Sequence, residues 1–234
     1  MKLNGERVID KTINLILIII GIVSIYPIWF VLIASVSSPM AISAGEVVLF
    51  PKGLNIDAYK KLFAREDVWI GYRNSIFYTS LGTMINLVVQ MPLAYALSRK
   101  TLPGRTVINT LLVITMYFSG GIIPSYLLIS KLGLHDTVWA LALPGAVSVY
   151  NVIVAKNFFA GNVPESLHDA ACIDGCGYTH FFCRVVLPLS KSIMAIIAMF
   201  SIQGHWNSYL EPRMYLRTKS KYTLQQVVQS IAAA

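Results

Sequence analysis

The chain has 234 residues, of which 56% are hydrophobic and only 13% charged, and its mean hydropathy is +0.63. A soluble domain of this length carries about 25% charged residues, so the composition excludes an ordinary soluble enzyme and makes the membrane span the unit of organisation. The net charge of +8 fits basic loops between spans; no basic stretch interleaved with aromatics suggests a nucleic-acid surface, and no nucleic-acid partner is expected.

Residues 12–45, 74–98, 106–130, 137–155 and 192–210 contain no Asp, Glu, Lys or Arg. A helix rises about 1.5 Å per residue, so roughly 20 residues cross the hydrocarbon. Backbone amides in lipid must be paired internally, which makes these windows helices rather than open strands. The sequence therefore predicts an all-α integral membrane protein, a polytopic helical bundle with five spans.

In chain order, residues 1–12 form a polar tail. The first span is predicted over Ile13–Val36, kinked at Pro27, and reads as a retained signal anchor because no small-residue cleavage site follows it. A polar loop over 37–72 contains the turn Pro51-Lys52-Gly53 and a short amphipathic helix with Tyr59, Leu62 and Phe63, capped by Asn55. The second span is Asn74–Leu97 and the third is Val107–Ser130, interrupted by Gly120, Gly121 and Pro124. The fourth is Val138–Ala155, preceded by the loop pair His135 and Asp136, read as a cap for it. A polar segment over 156–184 leads to the fifth span, Val185–Gln203. Residues 13–210 thus make up the membrane domain, and 211–234 a polar external tail whose end is too short to cross. The lysines and arginines divide almost evenly between the two sides. Only the dense Arg99–Arg105 loop favours a cytoplasmic placement.

The segment between the fourth and fifth spans carries the most specific pattern: Asp169-Ala170-Ala171, then Gly175, then Val185-Val186-Leu187-Pro188. It resembles the EAA loop of ABC importer permeases, with Asp169 where Glu is usual and Val185 where Ile is usual. Glu165 to Cys172 suit a short helix whose alanines allow close approach, and Gly175 suits its end. The stretches Pro92–Arg99, Phe118–Pro124 and Trp139–Ala146 are similar to carbohydrate-importer permeases of the maltose type, in the branch that handles complex oligosaccharides.

That resemblance implies a permease subunit in a bacterial cytoplasmic membrane, with a cytoplasmic N-terminus. It implies a second homologous permease, an ATP-binding cassette ATPase dimer and an external solute-binding protein as partners. The ATPase-coupling residues it implies are Glu165, Asp169, Ala170, Ala171, Asp174, Gly175, Leu187 and Pro188. The family normally has six spans. The sequence ends after five, and Tyr222–Val228 resembles the stretch outside the membrane before the last, so the chain reads as truncated.

Sugars are held by aromatic faces and amide hydrogen bonds, which makes Tyr117, Asn151, Gln203, Trp206 and Asn207 the candidate pathway residues. Asn86 and Gln90 are further polar residues within a span. His168, Cys172, Cys176 and His180 recur every four residues, but Gly175 and Gly177 interrupt the stripe and no metal site is expected. No phosphate-cradling G-x-x-x-x-G-K-[ST] loop occurs. The chain is not expected to be an enzyme or to hold a cofactor; Mg-ATP belongs to the partner. Two other readings remain: the same machine with an amino acid, peptide or phosphonate cargo, and a stand-alone channel or ion-coupled carrier. The last is disfavoured because only Lys191 places a charge inside a span.

Overall fold

The structure, a computed structural model, describes residues 4–173 and 175–233. The chain divides into two compact units, one ending at Arg65 and the other beginning at Glu66. In the described residues all regular structure is helical.

The first unit is built on α1 (Asn4–Ser35). The helix starts within the stretch expected to be a tail, and Pro27 lies inside it without ending it. Its C-terminal half is tied to the following loop. Tyr26 Oη donates to the Val48 carbonyl and Trp29 Nε1 to the Leu49 carbonyl, at 3.3 and 2.9 Å. Ser38 caps the short α2 (Pro39–Ser43) by accepting the Ala41 amide, with Pro39 in the first turn where no donor is lost. Asn55 is not the cap read from sequence: Ile56 holds that position before α3 (Asp57–Phe63) without a side-chain cap bond, and Asn55 Oδ1 instead accepts the Asp57 amide at 2.7 Å in a turn one residue earlier.

The second unit is organised around α4 (Glu66–Ser98), which packs against α8 (Val149–Asn162), α12 (Lys191–Asn207) and α14 (Leu224–Ala232). The main core joins Met91, Ala94, Tyr95 and Leu97 of α4 to Val152, Ala155 and Phe159 of α8 and to Ile193 and Ile197 of α12. Phe181 and Val186 complete it.

Three of the predicted spans are broken. The third consists of α5 (Arg105–Tyr117) and α6 (Ile122–Lys131), bent by 111° where Gly121 adopts φ +85°. Only glycine takes that conformation without strain. The fourth is not one helix. It is a four-residue turn, α7 (Trp139–Ala142), an open stretch through Pro144 and Gly145, and then α8, which continues to Asn162 through residues assigned from sequence to the polar segment. The reason is that Pro144 has no amide to donate, and Ser148 restarts the helix by accepting the Asn151 amide. Pro164 fixes where α8 ends, because the residue before a proline is pushed out of helical geometry.

The fifth predicted span starts later than expected. The helical pieces α10 (Tyr178–Phe181), a π turn (Phe182–Val186) and α11 (Leu187–Leu189) lead to a bend of 83° before α12, which reaches Asn207. The Leu187 amide reaches back five residues to the Phe182 carbonyl. A widened turn accommodates Pro188, which cannot join the ordinary ladder.

The tail 211–233 is not a free strand of polar chain. It forms α13 (Leu210–Tyr215), a 3₁₀ turn (Lys219–Lys221) and α14, the last opened by a capping box between Thr223 and Gln226. Asn74 Nδ2 donates to the Ser220 and Tyr222 carbonyls, Ser75 Oγ accepts the Leu224 amide, and Tyr78 Oη donates to the Lys221 carbonyl. A Cβ on Gly71 would lie 3.1 Å from Leu224 Cα, so α4 and α14 meet nearly backbone to backbone.

Two helical stretches, Ile9–Ser35 and Glu66–Ser98, are long and apolar enough to cross a membrane unbroken. The bent pairs α5–α6 and α10–α12 each add a broken span or a re-entrant segment.

Candidate functional site

The segment 164–190 is a helix, a stop and a second helical run. Helix α9 (Glu165–Ile173) ends in a Schellman arrangement: the Cys176 amide donates to the Ala171 carbonyl at 2.9 Å and the Gly175 amide to the Cys172 carbonyl at 3.0 Å. Gly175 has φ +73°, which a side chain would strain. Asp174 lies outside the described residues.

The two faces of α9 differ. Leu167 and Ala171 pack against the main core. His168 lies between aromatic rings, 5.1 Å from Tyr178 and 5.4 Å from Phe181. Glu165, Asp169, Ala170 and Ile173 point outward, with Ile173 87% exposed. Leu187 is half-buried against the same core, whereas Pro188 is exposed. The core beneath contains Tyr95, whose ring lies 5.2 Å from Phe182 and 5.7 Å from Phe159. A push on the outer face of α9 therefore has a packed route into α4, α8 and α12.

The His/Cys stripe does not persist. Because α9 stops at Ile173, Cys176 and His180 belong to other segments, and among the described residues Cys172 Sγ meets His168, at 3.7 Å. Among the described residues no three metal-ligating side chains come together.

A cavity of about 630 Å³ lies among α4, α8, α12 and α13. Its lining includes Asn151 and Asn207 of the sequence-derived pathway set, with Tyr78, Asn86, Tyr150, Phe200, His205 and Glu211. The set is not brought together as a whole. Tyr117 is exposed at the end of α5, Gln203 is exposed on α12, and Trp206 lies outside the lining, its carbonyl accepting from the Gln225 side chain. Tyr78, Tyr150 and Glu211 were missed. Tyr78 shares a helical face with Asn86, eight residues on, and that spacing is the one signal that could have found it. Glu211 enters the lining only because α13 folds back onto the bundle.

The break in the fourth span explains Asn86 and Gln90. Both project from one face of α4, one turn apart. With its amide set to donate to the carbonyls of Gly145 (3.1 Å) and Gly82 (3.0 Å), Asn86 accepts the Ser201 hydroxyl at 3.2 Å. Gln90 is fully buried and donates to the Ala146 carbonyl at 3.0 Å. These amides satisfy carbonyls that the helix break would otherwise leave unpaired away from water. His135 and Asp136 are placed differently from the capping role read from sequence. Asp136, at φ +58°, turns its carboxylate to the tail, accepting the amides of Arg217 and Thr218 at 2.9 and 3.0 Å and the ammonium of Lys221 at 2.8 Å. The Lys221 ammonium and the Thr218 hydroxyl hold that carboxyl well below the usual carboxylate range.

This architecture, an apolar helical bundle with a capped helix-turn-helix between its last two large helices, is that of a transporter's membrane component. Residues 68–230 match the family described as binding-protein-dependent transport system inner membrane component, and the chain belongs to that family of ABC transporter permeases. It is 36% identical over 226 residues to the polygalacturonan/rhamnogalacturonan transport system permease protein YtcP of Bacillus subtilis, covering 97% of this chain and 79% of that protein. It is 36% identical over 225 residues to protein LplC of the same organism, covering 96% and 76%. Its fold is similar, at a TM-score of 0.93 and 30% identity, to a chain in the crystal structure of a bacterial ABC transporter that imports the acidic polysaccharide alginate, covering 98% of this chain and 82% of that one.

Proposed function

We propose that this chain is the permease subunit of an ATP-driven importer of oligosaccharides. It forms half of the translocation path in a bacterial cytoplasmic membrane, with its N-terminus inside. A second, homologous permease closes the path, an external solute-binding protein delivers the sugar, and an ATPase dimer docks on the segment 165–188 and supplies the energy.

The observation that carries this reading is the division of α9 into a packed face and a bare one. Leu167 and Ala171 join the core that α4, α8 and α12 share, while Glu165, Asp169, Ala170 and Ile173 are left exposed. Such a helix moves as one body with the bundle, and its outer face is free for a partner. Alternating access is a two-state equilibrium, and a partner shifts it only by binding one state better than the other. Closure of an ATPase dimer against α9 is such a bias, and the helices it reaches are those that line the 630 Å³ cavity. Asn151, Asn207, Tyr78 and Tyr150 offer the amides and rings that sugar hydroxyls and ring faces need. The sugar cargo is supported by the names of the similar proteins.

The test is a disulfide or photo-crosslink from Ala170→Cys, in a variant whose native cysteines at 172, 176 and 183 are replaced. The expected product is an adduct with a nucleotide-binding subunit whose yield changes with ATP. Adducts without any ATPase would overturn the proposal.

A further inference from the structure

A second cavity, of about 670 Å³, opens between the N-terminal part of α4 and the tail, with Arg73, Phe77, Tyr78, Thr137 and Lys221 in its lining. Its size is in the ~300–1,000 Å³ range of small-molecule sites. Its charges are unequally committed. The Asp136 carboxylate is consumed by four donors: the amides of Arg217 and Thr218, the Thr218 hydroxyl at 2.6 Å and the Lys221 ammonium at 2.8 Å. Lys221 Nζ also donates to the Asp136 carbonyl at 2.6 Å, so that pair neutralises itself. Arg73 is exposed in the same lining and makes no hydrogen bond or ion pair among the described residues. It is the uncompensated charge of the cavity.

The first cavity is the opposite. Its lining has no Lys or Arg and includes the Glu211 carboxylate. Tyr78 lines both cavities, so the cavity that holds the free guanidinium adjoins one whose charged side chain is a carboxylate. A guanidinium is a rigid planar fork whose donors match a carboxylate bidentately. Phe77, more than half exposed, adds an apolar face beside it.

We infer that Arg73, with Phe77 and Tyr78, forms an outer subsite for the carboxylate of a uronate-bearing oligosaccharide. This rests on the permease reading, under which the tail and the start of α4 stand at the outer mouth. The subsite sorts acidic chains by charge there, before their hydroxyls meet the amides and rings of the inner cavity.

The experiment is calorimetric titration of trigalacturonate, and separately of its methyl ester, into the purified complete transporter without its binding protein. The acid is expected to bind about tenfold tighter than the ester, the scale of one charge-assisted pair. Arg73→Gln removes that preference, Arg73→Lys keeps part of it, and added salt weakens it because the site is exposed. Equal binding of acid and ester, binding of neither, or a preference that survives Arg73→Gln overturns the inference. An equal loss of both in Arg73→Gln also overturns it, and assigns the cation to some other contact. Uptake of an oligosaccharide panel by the same preparation separates the two readings. Import without acid preference defeats only the subsite, whereas no import at all defeats the permease reading as well.

Discussion

Helices α1 and α4 are both long and apolar enough to cross a hydrocarbon thickness unbroken, yet they differ sharply in hydropathy and burial. An 18-residue stretch of α1 has a mean hydropathy of 2.8 with 6% of its residues buried in this chain; the corresponding stretch of α4 has 1.3 with 44% buried. The more apolar helix is the less packed one. A water-soluble protein would invert that relation, because burial there follows hydrophobicity. In lipid the tails are as apolar as leucine, so helices associate through close packing and hydrogen bonds instead. The interior face of α4 carries Asn74, Ser75, Thr79, Thr83, Asn86 and Gln90, all buried. Hydropathy thus reports which helix faces lipid or another subunit, and polar residues within a span report which helix organises the bundle.

The sharpest way to break this contrast is to fill the closest approach on α4. A Cβ on Gly82 would lie 2.5 Å from His205 Nε2. Gly82→Leu is expected to force α4 and α12 apart at a cost of about 3 kcal/mol or more, seen as loss of folded protein in detergent. Gly21 of α1 has nothing within 4 Å of its Cβ position, so Gly21→Leu is expected to leave folding intact.

A smaller effect is expected at the helix break. Asn86→Leu removes the donor to the Gly145 carbonyl and the acceptor for Ser201, at a cost of about 1–2 kcal/mol. The measurement is thermal unfolding in detergent. A loss of transport larger than the loss of folded protein would show that the break between α7 and α8 is also a moving part.

Of similar size is the Gly175→Ala change, which places a Cβ in left-handed backbone at about 1–2 kcal/mol. Because the Gly175 turn ends α9, the expected outcome is a transporter that assembles but couples poorly: ATP is hydrolysed with less sugar moved. Unchanged coupling would count against a rigid lever.

The Asp136 anchor should depend on pH. Its carboxyl titrates below the ordinary value in the folded chain, so its contribution is present above the unfolded value of about 4 and is lost as pH falls through the lower folded value. At neutral pH, Asp136→Asn is expected to speed hydrogen exchange at the amides of Arg217 and Thr218, which the carboxylate accepts. The gap between variant and wild type closes as the pH drops below about 4. The smallest effect is on α1, where Ile18→Ala removes an exposed side chain and is expected to change the stability of this chain within about 0.5 kcal/mol. A larger loss in the assembled transporter would show that another subunit covers that face.

Much of this was written in the chain itself. Charge-free windows pointed to an all-helical membrane protein, and Gly120, Gly121 and Pro124 marked the break in the third span, although Pro27 and Pro92 lie inside unbroken helices. The spacing from Asp169 through Gly175 to Pro188 marked the helix, its stop and the approach to α12. These features are local: a helix needs only its own backbone bonds, and a Schellman stop only a glycine and its neighbours.

What the tertiary structure alone decided involves residues far apart in sequence. Asn151 and Asn207 share a cavity while Tyr117, Gln203 and Trp206 do not, because position around a helix counts only once its neighbours are known. The polar tail packs on α4 through Gly71, Asn74 and Ser75 some 150 residues away, and Asp136 reaches the tail rather than its own helix. Hydrogen bonds to distant carbonyls leave no periodic trace in sequence, since their partners are chosen by packing and not by spacing along the chain.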